Sequence, residues 1–267
     1  MMAAVTDNDR VDPTVPHNAR VWNYWLGGKD NYAVDRELGD RMAEMVPVFP
    51  QMARASRAFL RRAVTYLAAE AGIRQFLDVG TGLPSSGNTH EVAQDIAPDA
   101  RIVYVDNDPL VLAHARALLT STPEGVTQYA HVDARDPEKV LEAAAQTLDF
   151  GRPVAVTMLS VLHFFSDEEV RRTVGTIMDA LPSGSYLAVA HGTYEYSDNT
   201  STAALEHWNA STTTPGYPRD RAAVTALMLD GLDLLDPGIV SCARWRAEGV
   251  WKDAPEVPQY GLVARKL

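Results

Sequence analysis

From residue 74 onward, short apolar runs alternate with amphipathic segments, and this rhythm constrains the fold more than any other feature of the chain. The apolar runs are too short for helices, and the segments between them have helical spacing. The predicted strands are 76–79, 102–105, 126–131, 154–159 and 186–190. Strands and helices in this order form a parallel sheet with right-handed crossovers, so we predict an α/β fold.

The C-terminal part of the chain breaks this rhythm. After a predicted helix at 219–229, three more strand-like runs follow without long helices between them, at 232–235, 240–245 and 260–264. Strands joined by short connections pair antiparallel. We therefore expect a mostly parallel sheet that finishes in an antiparallel hairpin, unlike a standard dinucleotide-binding domain.

The region before the first strand is predicted to be helical, with interruptions. The predicted helices are 20–26, 32–46 and 52–71. The first stops at Gly27-Gly28, and Pro47 and Pro50 interrupt the second. We expect one domain over 1–267, in which 18–72 form a helical lid on a Rossmann-like core at 73–267. Residues 1–17 are expected to be an extended or disordered tail.

Charge and cysteine content exclude several classes of protein. The net charge of −11 opposes binding to nucleic-acid phosphates. No run approaches the ~20 apolar residues that span a bilayer, and the first ten residues, with Asp7 and Asp9, lack the apolar run of a signal peptide. The single cysteine, Cys242, allows no internal disulfide or cysteine-rich zinc site. We expect a cytoplasmic protein with no metal, nucleic-acid or membrane partner.

The first predicted strand ends in the run Asp78-Val79-Gly80-Thr81-Gly82. In an open α/β sheet, ligands bind at the carboxyl ends of the strands. Glycines there let the backbone turn sharply and approach a ligand closely. The GxGxxG spacing of pyrophosphate binders and the Lys-Ser/Thr pair of a phosphate loop are both absent. Taken alone, this turn could be structural or could belong to a site.

Three further strand ends carry polar side chains: Asp106-Asn107, Asp133-Ala134 and Ser160 to His163. The carboxylate of Asp106 can accept hydrogen bonds from both hydroxyls of a ribose. Asp133 is placed to accept from an adenine amino group, with a turn or helix-cap role before Pro137 as the alternative. If Asp78 takes an ammonium group, these acids together suit a cationic ligand that carries a nucleoside and no phosphate.

Several segments carry a family resemblance. Residues 76–82, 105–109 and 181–186 resemble successive motifs of class I S-adenosylmethionine (SAM) dependent methyltransferases. More narrowly, the chain resembles a bacterial family named S-adenosyl methyltransferase, formerly a domain of unknown function, in the runs LGGKDNY at 26–32, RAFLRRA at 57–63, GLP at 82–84 and WR at 245–246. The resemblance implies SAM as cofactor, S-adenosylhomocysteine (SAH) as product, and a seven-stranded sheet whose last strand is antiparallel.

The helical region contributes further candidate contacts to the cofactor. Lys29 and Arg57 could reach the carboxylate of the methionine moiety, although Arg57 could equally belong to a solvated helix face. We also expect Tyr24, on the aromatic first helix, and Ser160 to contact the cofactor. In this interpretation the cofactor-binding residues are Asp78, Gly80, Thr81, Gly82, Asp106, Asn107, Asp133, Ala134, Ser160, Tyr24, Lys29 and Arg57.

The long connection at 192–217 is expected to be a functional loop that, with the lid, encloses a small-molecule methyl acceptor. His163 and His191 are the candidate catalytic bases, with plain packing as the alternative. Methyl transfer mainly needs alignment of donor and acceptor, so a base is not obligatory. Residues 158–161 do not match the Asn/Asp-Pro-Pro-aromatic run of enzymes that methylate nucleic-acid amino groups. A SAM-binding regulator without turnover and a nicotinamide oxidoreductase remain alternatives.

Overall fold

The structure, a computed structural model, describes residues 12–118, 120–196 and 200–267. The strands are β1 Gln75–Val79, β2 Arg101–Asp106, β3 Val126–His131, β4 Ala155–Leu159, β5 Tyr186–Gly192, β6 Leu232–Leu234, β7 Val240–Ser241 and β8 Gln259–Lys266. Within the described residues the helices are α1 Asn18–Trp25, α2 Ala33–Met45, α3 Phe49–Ala69, α4 Thr89–Ile96, α5 Pro109–Leu118, α6 Pro137–Ala144, α7 Asp167–Asp179, α8 Thr200–Ser211 and α9 Arg221–Met228.

All strands of the described chain belong to one sheet, with the order β3-β2-β1-β4-β5-β8-β6 and with β7 paired to β8. The pairs among β1 to β5 are parallel, and β8 runs antiparallel to β5, β6 and β7. This confirms the predicted α/β sheet with an antiparallel C-terminal end. The sheet has eight strands where the resemblance implies seven, because the two-residue β7 adds one.

The predicted strand at 240–245 is wrong beyond Ser241. The chain turns there because Arg62 of α3 donates hydrogen bonds to the carbonyl oxygens of Cys242 and Trp245, each at 2.7 Å. Trp245 is fully buried, and its ring meets that of Phe59 edge to face at 5.5 Å. The apolar residues of this run therefore pack as a turn beneath α3.

Two apolar layers cover the faces of the sheet. One layer joins α3 and α4 to it, and the other joins α6, α7 and α9. Strand β1 is buried along its whole length, as expected for a parallel strand covered on both faces. Since α3 is part of a core layer, the helices that stand outside the two layers at the N-terminus are α1 and α2.

A third apolar cluster joins α1, α2 and the start of α3 to α8 through Trp25, Met42, Ala53 and Trp208. Helix α8 lies within 192–217, so the connection predicted as a functional loop contains a helix. Its polar sequence shows little helical pattern. Its described residues Ala204 and Trp208, four positions apart, are buried in this cluster with residues of α1 and α2, and this tertiary packing stabilises the helix.

The turn between α1 and α2 is built on the buried side chain of Asn23. Its Oδ1 accepts hydrogen bonds from the backbone of Asp30 and from Nδ2 of Asn31. A Cβ on Gly28 would lie 2.3 Å from the Asn23 amide, so only glycine lets the chain pass here. The run LGGKDNY therefore has a structural basis in this turn.

Other differences are small. Pro50 lies in the first turn of α3 instead of interrupting a helix, because that turn needs no N–H from proline. The capping pairs Asn88 with Glu91 and Ser166 with Glu169 are present. Position 119, the predicted end of a helix, and residues 1–11 of the predicted tail lie outside the described residues. In the described part of the chain, no helix combines the length and the apolar character needed to cross a membrane.

Candidate active site

A cavity of about 480 Å³ lies at the carboxyl ends of β1, β2, β4 and β5. This volume is typical of small-molecule sites. Helix α1 contributes Trp22 and Trp25 to its wall, and α8 contributes Trp208. The cavity therefore extends from the strand ends, where ligands of open α/β sheets bind, to helices α1 and α8.

The turn after β1 contains two glycines with different surroundings. Gly80 faces a neighbouring side chain, whereas Gly82 faces open space. Gly80 has φ of +74°, and a Cβ there would lie 2.6 Å from the side chain of Val161. Gly82 has φ of +67°, and no described atom lies within 4 Å of the place where its Cβ would be. The hydroxyl of Thr81 donates back to the Asp78 carbonyl at 3.1 Å. A ligand could thus approach the backbone at Gly82.

Asp106 ends β2 and faces this turn. Its Oδ2 accepts from the N–H of Gly82 at 2.8 Å, and its Oδ1 accepts from the N–H of Asp108 at 2.9 Å. Burial raises the pKa of Asp106, while these two N–H groups act to lower it. Each carboxylate oxygen keeps a lone pair, so a fixed acceptor pair remains for two adjacent hydroxyls.

Asp78 and Arg57 form the second charged group of the cavity. Asp78 is buried and accepts a hydrogen bond from the Thr89 hydroxyl. Burial raises the pKa of Asp78, although Thr89 and Arg57 act to lower it. Nη2 of Arg57 donates to the carbonyl of Gly87 at 3.0 Å. Its Nε and Nη1 have no hydrogen-bond partner among the described residues, so this guanidinium can still bind a carboxylate.

Asp133 and Ala134 lie at the rim of the cavity, after β3. Oδ1 of Asp133 accepts from the N–H of Arg135 at 2.9 Å, and its Oδ2 accepts from Nδ2 of Asn107 at 3.2 Å. Asn107 is exposed, whereas Ala134 is buried. The structure thus brings Asp133 and Asn107 together as one hydrogen-bonded pair beside Asp106.

Ser160, directly after β4, has a left-handed backbone with φ of +63°. Such a conformation is unusual for serine and is often found at functional sites. Its Oγ accepts from Nε2 of Gln259 at 2.7 Å and lies 3.3 Å from Oγ of Ser56. Gln259 was not predicted from the sequence, because its burial and its contact with Ser160 are evident only in the structure.

The two predicted catalytic histidines differ in position. His163 lines the cavity, and its Nδ1 accepts from the N–H of Gly192 at 3.4 Å. Burial and the charge of Arg219 lower the pKa of His163 to about 4. The ring is therefore neutral near pH 7 and carries its proton on Nε2, which has no partner in the described structure.

His191 lies behind the cavity wall and does not line it. Its Nδ1–H donates to the Gly192 carbonyl at 2.8 Å, and its Nε2 accepts from Arg219 at 3.0 Å. Burial, with the neighbouring His163 and Arg219, lowers its pKa well below the ordinary range. Because both ring nitrogens have internal partners, His191 is not placed to take a proton from a bound acceptor.

Tyr24 and Lys29 also lie outside the lining of the cavity. The α1 residues that line it include Trp22 and Trp25, one helical turn apart, and Tyr24 points elsewhere because successive side chains are rotated by about 100°. The Tyr24 hydroxyl donates to Asp40 at 2.7 Å, and Lys29 is exposed. Of the three cofactor contacts predicted in the helical region, Tyr24, Lys29 and Arg57, only Arg57 lines the cavity.

The parallel sheet, the open glycine turn and the carboxylate at the end of β2 define the fold and site of a SAM-dependent methyltransferase. The sequence profile of the S-adenosyl methyltransferase family matches residues 4–267. The chain therefore belongs to that family. It is a SAM-dependent methyltransferase, as the motifs predicted, and the oxidoreductase alternative is set aside.

Solved structures support the assignment. A DUF574 family protein from Streptomyces avermitilis MA-4680 is 43% identical, with a TM-score of 0.92 over 97% of this chain and 100% of that chain. A protein from Thermobifida fusca YX is 38% identical, with a TM-score of 0.84 over 95% and 96% of the two chains. The SAH-bound magnesium protoporphyrin IX methyltransferase of Synechocystis PCC 6803 shares the fold at 13% identity, with a TM-score of 0.54 over 92% and 93% of the chains. A search of curated proteins found no significant match.

Proposed function

We propose that the enzyme methylates a small-molecule acceptor, with SAM held at the charged end of the cavity and the acceptor at its aromatic end. The observation that carries this proposal is one cavity that runs from Asp106 to Trp22 and Trp208. Hereafter the donor end means the part around Arg57, Asp78, Asp106 and Asp133. The acceptor end means the part formed by α1, α8, Phe164 and residues 213–218.

The residues of the donor end fit the three parts of SAM. Asp106 offers two carboxylate oxygens to the ribose hydroxyls, and the open backbone at Gly82 allows close approach. The unpartnered N–H groups of Arg57 suit the methionine carboxylate, and Asp78 suits its ammonium group. Asp133, with Ala134 beside it, suits the adenine. Tyr24 and Lys29 have no role in this arrangement.

When bound, SAM supplies a methyl carbon that its sulfonium already activates. The protein then has to align the acceptor lone pair with that carbon and keep water out. The acceptor loses any proton through solvent or through its own acidity, since neither histidine is placed as a strong base. His163 instead offers a neutral N–H donor beside the transfer path.

We propose that the lid consists of α1 and α2, a narrower segment than 18–72. Residues of α1 form part of the cavity wall, α1 packs against α2, and α2 packs against α8. Helix α3, in contrast, belongs to a core layer. A wall closed by α1 and α8 favours a small acceptor over a protein segment or a nucleic acid.

The site assignment is tested by calorimetry of SAH binding to wild type and to Asp106→Ala. Two hydrogen bonds to a carboxylate contribute about 3 kcal/mol or more, so the affinity is expected to fall about 100-fold. The control is Asp95→Ala on the exposed side of α4. Unchanged SAH affinity in Asp106→Ala would contradict the ribose assignment.

The acceptor class is tested by incubating the enzyme and labelled SAM with a cell extract divided by size. We expect label in the fraction of small molecules. Label confined to the protein or nucleic-acid fraction would contradict a small-molecule acceptor while leaving methyl transfer itself intact.

A further inference from the structure

Most of the charged side chains that line the cavity lie at the donor end. The charged side chains among its described lining residues are Arg57, Asp78, Asp106, Asp133 and Arg135. Arg135 reaches the acceptor end, where it donates to the carbonyl of Phe164 at 3.0 Å. Its charge is paired with Asp133 and Glu169, so no unpaired charge of the described lining lies at the acceptor end. Moving an ion from water into such a site is unfavourable by several kcal/mol unless a partner is present. The acceptor end therefore favours a molecule without charge.

Aromatic rings form much of the wall of the acceptor end. Phe164 and Trp208 stack with centroids 6.0 Å apart and planes inclined by 23°. On the lid side, the Trp25 ring lies 5.6 Å from that of Phe49 and 6.1 Å from that of Trp22. Aromatic side chains interact best with another ring, stacked or edge to face. This wall therefore favours a flat aromatic molecule over a flexible polar one.

Two neutral hydrogen-bond donors stand where the two ends meet. The thiol of Cys242 lies 3.5 Å from Oε1 of Gln259, which leaves Nε2 to donate to Ser160. Ser160 accepts that bond, so its own proton is free to be donated into the cavity or to Ser56. His163 carries its ring proton on Nε2 because its Nδ1 accepts from Gly192. A pair of donors selects a ligand atom with lone pairs.

We infer that the methyl acceptor is an uncharged aromatic molecule that stacks against Phe164 and Trp208 and presents hydrogen-bond-accepting atoms to Ser160 and His163. This inference rests on the proposed transfer to a small molecule and adds its chemical class. It also assigns Trp208 to recognition of the acceptor, and it assigns Ser160 to the acceptor in place of the cofactor contact expected from the sequence.

The test divides the small-molecule fraction of a cell extract into three pools before labelling. Ion exchangers remove an anionic pool and a cationic pool, and an apolar resin retains the neutral pool from what remains. Each pool is incubated with enzyme and labelled SAM. We expect at least tenfold more label in the neutral, resin-bound pool, in a product that absorbs ultraviolet light as an aromatic compound.

The outcomes separate this inference from the proposed function. Label in an ionic pool only, or in a neutral product without an aromatic ring, overturns the inference and leaves small-molecule transfer standing. Label only in the neutral material that the resin does not retain also overturns the inference alone. Absence of label from all three pools and from that unretained material, with SAH binding intact, overturns the proposed function itself.

Variants then test the two recognition residues with the neutral pool as substrate. Trp208→Leu and Ser160→Ala are each expected to lower the labelling rate about tenfold at low pool concentration while changing SAH affinity less than threefold. Matched controls are Trp251→Leu and Tyr24→Phe, whose side chains lie outside the cavity lining. Labelling rates equal to those of the controls would overturn the assignment of Trp208 and Ser160.

Discussion

The two ends of the cavity are built in different ways. At the donor end, Asp78, Asp106 and Asp133 each lie at or just after the end of a parallel strand, and backbone N–H groups hold Asp106 and Asp133 in place. The acceptor end is assembled from α1, α8 and turns that are far apart in the chain. Local sequence thus determines the donor end, whereas tertiary packing determines the acceptor end.

One buried cation holds much of the acceptor end together. The guanidinium of Arg219 is almost fully buried and donates to Asp167, to Nε2 of His191 and to the carbonyls of Phe165 and Tyr217. It joins the turn after β4, the end of β5 and the segment before α9. No single side chain of the donor end joins as many segments in the described structure.

The largest effect is therefore expected at Arg219. Replacing it with alanine leaves buried carbonyls and His191 without a donor, and we expect the free energy of unfolding to fall by about 3–5 kcal/mol. Urea unfolding measures this loss. Arg221→Ala, which removes a half-exposed arginine two positions on, should change stability by less than about 1 kcal/mol. If both variants lost the same free energy of unfolding, Arg219 would not stabilise the acceptor end more than an ordinary surface arginine does.

The second prediction concerns pH and the acceptor end. The pKa of His163 is about 4 in the folded protein, against about 6.5 in an unfolded chain. Since the unfolded state binds this proton more tightly, stability is full above pH 6.5 and falls as the pH drops from about 6.5 to about 4. The expected loss by pH 4.5 is about 2–3 kcal/mol from this residue.

Comparison with His163→Gln isolates that contribution. Between pH 7.5 and pH 4.5, the free energy of unfolding of the variant should fall by about 2 kcal/mol less than that of the wild type. Urea unfolding at both pH values measures the difference. His131→Gln, at an exposed position, serves as the control. An identical pH dependence in wild type and His163→Gln would show that His163 titrates normally in the folded protein.

At the donor end, Arg57→Lys should weaken SAH binding about tenfold. Lysine keeps the charge but loses the planar pair of N–H donors that matches a carboxylate, a difference of about 1.4 kcal/mol. Calorimetry at one ionic strength checks this. The control Arg54→Lys alters an exposed residue of the same helix. If the two variants bind SAH equally well, Arg57 does not hold the methionine carboxylate.

The smallest effect is expected at the junction of the two ends. Ser160→Ala and Ser160→Gly both remove the hydroxyl, but only glycine tolerates φ of +63° without strain. The glycine variant should therefore be about 1 kcal/mol more stable than the alanine variant. Thermal and urea unfolding of the pair measure the difference, and a more stable alanine variant would argue against a strained backbone at Ser160.

The contrast between the ends also explains what the sequence could predict. Apolar runs of strand length predicted the sheet, and polar residues after those runs predicted Asp106 and Asp133 at the cavity, because both patterns are local. Helix α8 was missed because its described buried positions, Ala204 and Trp208, make too sparse a pattern.

The contacts of the acceptor end depend on pairing between distant segments. Arg219 meets His191 across 28 residues, and Gln259 meets Ser160 across 99. No pattern in the sequence predicts pairs that are so far apart in the chain. For this reason His191 was expected to line the cavity, although it lies behind the cavity wall. The prediction that Tyr24 contacts the cofactor is wrong for a simpler reason. The aromatic residues of α1 do not by themselves determine which face of the helix lines the cavity.

The position of β8 has a consequence for how the protein emerges from the ribosome. This strand pairs with β5 over seven residues and separates it from β6, yet it is synthesised after both. Until residue 259 and those after it leave the exit tunnel, one edge of β5 has open hydrogen-bonding groups, which is a hazard for aggregation. The same late strand brings Gln259 to Ser160. A nascent chain can therefore assemble its donor end during translation, whereas the junction of the two ends at Ser160 is completed only when β8 arrives.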